Sequence, residues 1–103
     1  MPSDTVYRLT RIKELKRDFA TRQVGDDRIL LPVKQNMSDF NAMFTLNATA
    51  AYIWNQLDQA GHPADLVKAL QQHYEVDDKT AAADVKAFIA ELHQFMSGET
   101  SDA

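Results

Sequence analysis

The stretch that decides the fold is TLNATAAYIWNQL, Thr45 to Leu57. Its first residues continue the β-prone run Met43-Phe44-Thr45-Leu46. Beyond Asn47, the apolar residues Ala50, Ile53, Trp54 and Leu57 fall at i, i+3, i+4 and i+7, one face of a helix. Asn47 suits the junction as a helix N-cap, because its side-chain oxygen can accept from N–H groups left unpaired in the first turn. The segment therefore reads as a strand that passes directly into a helix. Trp54 and Leu46 are expected in the core, with Tyr52 beside them.

Upstream, Phe19 to Val24 and Arg28 to Val33 are two short β-prone runs separated by Gly25-Asp26-Asp27, the pattern of a hairpin. Pro32 lacks an N–H for a strand ladder and places the end of the second run at an edge or bulge. The polar stretch 34–39 reads as a loop, and the third strand as 40–46. Downstream, Gly61-His62-Pro63 ends the first helix and opens a second, since Pro is favoured in a first helical turn. That second helix, 64–74, turns Leu66, Val67, Leu70 and Tyr74 inward. A third starts near Asp77-Asp78, acids that suit the positive end of a helix dipole, and runs to about Met96.

On that last helix the apolar arc is about 140° wide, enough to meet more than one surface. Phe88 and Phe95 form one border, with Asp84 and Glu91 just outside it; Ile89 and Ala82 form the other, beside His93 and Lys86. The fold class is α+β and winged-helix-like, a three-stranded antiparallel sheet followed by three helices. The domain limits are a basic N-terminal arm over 1–18, a folded domain over 19–96 and a small, polar, fraying tail over 97–103. Leu9, Ile12 and Leu15 in the first segment allow either a short amphipathic helix or an irregular arm packed by a few leucines.

The 103 residues fit one domain. The absence of Cys excludes a disulfide framework, a thiol nucleophile and a cysteine-held metal within these residues. No stretch is apolar for the roughly 18 residues a membrane span needs, and a cytoplasmic location is expected. Five basic residues outnumber Asp4 and Glu14 over 1–17, while the remainder, at −7, repels phosphate backbones. His62, His73 and His93 share no metal-ligand spacing and are expected in surface or capping roles, and the glycines form no phosphate-cradling loop. Neither an enzyme nor a bound cofactor or metal is expected. Recognition through an exposed strand edge and an adjoining helix remains.

Phe44-Thr45-Leu46-Asn47-Ala48-Thr49-Ala50-Ala51-Tyr52-Ile53-Trp54-Asn55-Gln56-Leu57-Asp58 resembles the LN-x-x-A-x-x-I-W-x-x-L centre of the PqqD-like family. Leu66 to Leu70, His73-Tyr74-Glu75-Val76-Asp77, and Asp84-Val85 through Phe88-Ile89 and Leu92 resemble its second half; Val24 to Pro32 looks like its opening hairpin. The resemblance covers about residues 19 to 96. It implies a RiPP recognition element, a non-catalytic chaperone for the leader of a ribosomally made precursor peptide. The leader adds as a strand to the third strand, packs against the third helix and is presented to a modifying enzyme, often of the radical S-adenosylmethionine type. In the PqqD branch the product is pyrroloquinoline quinone.

Carried over by position, the peptide-binding residues are Asn41, Ala42, Met43, Phe44 and Thr45 on the strand, and Asp84, Val85, Phe88, Glu91 and Leu92 on the helix. The Phe88 border suits an apolar leader residue flanked by basic ones. The alternatives are a winged-helix regulator that binds DNA or protein, resting largely on the basic arm, and a scaffold subunit without peptide affinity.

Overall fold

In the computed structural model, residues 4–33 and 43–97 are described. The chain opens with helix α1, Asp4–Leu15, followed by one 3-10 turn, Lys16–Asp18. Leu9 and Ile12 lie one turn apart on its inner face and are 1% and 0% exposed, within the main core of the domain. The basic arm of the sequence reading is thus a packed helix. Several of its cations are used at home: Lys13 Nζ donates to the Ala60 carbonyl (2.6 Å), and Lys16 pairs with Asp58 (3.0 Å) and sits 5.1 Å from the Trp54 ring centre. Arg11 pairs with Glu14 on the same helix.

Strands β1, Phe19–Val24, and β2, Asp27–Pro32, form the expected hairpin. Gly25 occupies its tight turn at φ +61, a left-handed conformation that side chains with a Cβ resist. Strand β3, Phe44–Leu46, pairs antiparallel with β2, with Phe44 opposite Leu30 and Leu46 opposite Arg28. The order β1-β2-β3 leaves one side of β3 unpaired among the described residues. The part of the expected third strand at 40–42 lies outside those residues, and Met43 precedes the ladder.

Asn47 caps helix α2, Ala48–Gln56, as expected: its Oδ1 accepts from the Ala50 N–H at 2.8 Å. Helix α3 spans Pro63–His73 and helix α4 Asp78–Ser97. Asp65 accepts from the N–H groups of Gly61 and His62 at the start of α3; Asp77 accepts from that of Thr80 at the start of α4. The Gly61 and His62 N–H groups at Asp65, and the Thr80 hydroxyl followed by its N–H at Asp77, favour the ionised carboxylates and lower both pKa values below the ordinary 3.8. The count is therefore four helices, with α1 added to the three expected.

Helix α4 runs through the middle of this arrangement. Ala81, Val85, Ile89, Leu92 and Met96 are buried along it, and they meet Leu30 and Leu46 from the sheet, Ile53, Trp54 and Leu57 from the α2 region, and Leu66 and Leu70 from α3. His93 corrects the expectation of a surface or capping role. It is only 9% exposed, with its ring edge-on to Tyr7 at 5.9 Å, because α1 covers the border of α4 on which it lies. His73 instead stacks on Tyr52 (4.1 Å between ring centres), whose hydroxyl donates to the Ala69 carbonyl and ties α2 to α3.

Candidate functional site

Alternation along β3 sends Phe44 and Leu46 to the core face and Thr45 to the other. Phe44 reaches α4, its ring centre 6.3 Å from Phe88 and 5.4 Å from Phe95, and Phe95 continues to Phe19 of β1 at 5.8 Å. This aromatic row joins the sheet to α4. Beside β3, between the first turns of α2 and the middle of α4, lies a cleft of about 350 Å³. Phe44 and Thr45 border it from the strand, Asn47 from the cap, and Asp84, Phe88 and Glu91 from α4. The α4 residues follow i, i+4, i+7, so one helical face supplies a carboxylate, an aromatic ring and a second carboxylate in order.

Asp84 and Glu91 are exposed, and among the described residues neither takes part in an ion pair. Among the described residues no basic side chain lines the cleft. The carboxylates with lowered pKa values, Asp65 and Asp77, are helix caps elsewhere. The cleft thus offers an apolar floor, an anionic rim and an adjacent strand edge with main-chain groups open to pairing, and nothing in it resembles a nucleophile with its base.

The family described as coenzyme PQQ synthesis protein D (PqqD) matches residues 27–94. The chain belongs to the PqqD family. Among solved structures, TbiB1 in complex with the TbiA(beta) leader peptide matches with a TM-score of 0.60, covering 76% of this chain and 85% of that one at 24% identity. That likeness establishes the fold. No curated protein matches the chain.

Within this PqqD-family fold, Phe44, Thr45, Asp84, Phe88 and Glu91, five of the residues expected at the peptide site, line one cleft. Met43, 62% exposed, stands just before the strand, while Asn41 and Ala42 lie outside the described residues. Val85 and Leu92 are not on the cleft. Each lies 100° further round α4 than its carboxylate neighbour, which turns it into the core. Phe88 does both jobs, 8% exposed in the core and at the cleft floor; Phe95 stays in the aromatic row behind it.

Asn47, Thr49, Ala50, Ile53 and Ala87 also line the cleft and were missed. Ala87 was open to detection, since it shares the Asp84–Phe88–Glu91 face. The α2 residues were not, because their cap and core roles account for their sequence pattern without a site.

A larger cleft of about 730 Å³ lies between α1, α3 and α4, lined by Val6, Pro63, Val67, Ala82, Lys68 and Lys86 among others. Among the described residues no strand borders it. Among the described residues no three His, Asp or Glu side chains gather as metal ligands, and no helix is long and apolar enough to cross a membrane. The exposed charges of α4 are Asp78, Asp84 and Glu91 against Lys79 and Lys86, not the cationic face of a helix that enters a nucleic-acid groove.

Proposed function

We propose that this chain is a non-catalytic peptide-recognition module. It takes the leader of a ribosomally made precursor peptide as an added strand along β3 and presents the peptide to a maturation enzyme. The observation that carries this reading is the coincidence of an unpaired strand edge with the Phe44–Phe88 cleft, in a chain of the PqqD family. Main-chain hydrogen bonds along the edge supply affinity that any extended peptide shares, and the cleft selects among side chains. The fold neighbour TbiB1, whose structure holds a leader peptide, supports the same mode of use. The maturation enzyme in this reading is of the radical S-adenosylmethionine type, and the site of action is the cytoplasm.

The test is an amide-resolved NMR titration with the leader of a candidate precursor peptide. Saturable shifts are expected at 43–47 and 84–91. Shifts confined to α1 and α3, or none at high micromolar peptide, would overturn the reading. Phe88→Leu, which keeps the core filled while removing the ring, should weaken binding in the same titration; unchanged affinity would remove Phe88 from the site.

A further inference from the structure

Resting on the peptide-binding reading above, we infer that Asp84 and Glu91 make the cleft selective for charge. Its ligand is an extended segment with an apolar anchor and a lysine or arginine within two residues of that anchor, on one side or both. The two carboxylates are exposed and stand in no ion pair among the described residues, and the described lining of the cleft holds no cation that would neutralise them. An apolar side chain entering beside Phe44 and Phe88 brings its neighbours along the chain to this rim.

The spacing sets where those neighbours are. At about 1.5 Å rise per residue, Asp84 lies about 6 Å and Glu91 about 4.5 Å along α4 from Phe88. An extended peptide advances about 3.3 Å per residue and turns alternate side chains to the same face, so the positions two away from the anchor are about 6.6 Å from it. Lysine and arginine stems, long and flexible, cover the remaining difference while their charged heads stay in water. Acidic neighbours at the same positions meet uncompensated like charge. A leader with glutamate flanking its anchor is therefore rejected even though its backbone pairs equally well with β3.

The experiment is a display library of extended peptides, randomised for three positions on either side of a fixed phenylalanine and selected on the full chain at low salt. NMR then maps one selected peptide. Lys and Arg should be enriched several-fold within two residues of the anchor. Asp84→Lys/Glu91→Lys should invert the preference toward Asp and Glu, and Asp84→Asn/Glu91→Gln should abolish it. Because both side chains are exposed, these variants should keep the wild-type circular dichroism, and the neutral pair serves if the charge reversal does not fold. For a matched lysine-flanked peptide the reversal should weaken binding about tenfold, less at high salt.

Selected peptides that map to 43–47 and 84–91 without cation enrichment would overturn the charge selection and leave the peptide-binding reading standing. Failure to select any peptide, or mapping to another surface, would overturn both.

Discussion

The two clefts that flank α4 differ in what borders them more than in size. The larger, between α1, α3 and α4, is walled by helices whose backbone groups are mostly paired internally; its floor is apolar, and Lys68 and Lys86 stand at its rim with Asp78. The smaller adjoins β3, whose outer edge is unpaired among the described residues, and its rim carries Asp84 and Glu91. A peptide arriving in extended form needs main-chain partners, which only the smaller cleft has beside it. Volume and the strand edge thus point to opposite sides of the helix.

The largest effect expected bears on the wall of the larger cleft. Leu9→Ala removes a fully buried side chain from α1 and should cost about 2–5 kcal/mol in urea unfolding. A loss under about 0.5 kcal/mol would mean that α1 is the loose arm its basic composition suggests, and the larger cleft would lose a wall. Asn47→Ala bears on the smaller cleft. Loss of the bond to the Ala50 N–H should cost about 1 kcal/mol, and Asn47→Ser or Asn47→Asp should recover most of it. A cost well above that would give Asn47 a role in holding β3 as well as α2.

Gly25→Ala, remote from both clefts, should cost about 1 kcal/mol through backbone strain alone, because nothing lies within 4 Å of the added methyl. Peptide affinity should be unaltered, and a changed affinity would tie the hairpin turn to the site. The sharpest contrast comes from Lys68→Glu/Lys86→Glu, which reverses the rim of the larger cleft. It should change leader affinity less than about twofold, the modest effect expected of exposed charges remote from the ligand. A change as large as that from the Asp84/Glu91 reversal would erase the distinction between the two faces.

The smallest effect is acid dependence. Asp65 and Asp77 have folded-state pKa values below 3.8, so the stability they add is present above that pH and is lost as pH falls through their folded values. Both are exposed, so the loss is small. Urea midpoints should drop on the acid side of 3.8, and Asp65→Asn/Asp77→Asn should flatten part of that slope without altering the clefts at neutral pH.

Where local chemistry decides, sequence and structure agree. The Asn47 cap, the Gly25 turn, the proline start of α3 and the acids at the start of α4 stand where short-range rules put them, since each satisfies backbone groups within a few residues. The apolar spacing of α4 also foretold the Phe88–Glu91 border. The same spacing left Leu9 and Ile12 undecided between helix and arm, because three apolar residues among basic ones are marginal until something covers them. His93 likewise reads as a border residue until α1 lies over it.

By itself, the sequence determined the order of elements, their caps and turns, and the family to which they belong, because these depend on periodicity and on neighbours along the chain. Only the tertiary structure decided that α1 completes the core and covers His93, and that β3 and α2 stand opposite the Phe88 border of α4. It also set the larger cleft apart from the strand edge. A 100° step on a helix changes which surface a residue meets, and what stands at that surface is set by segments far away in the chain.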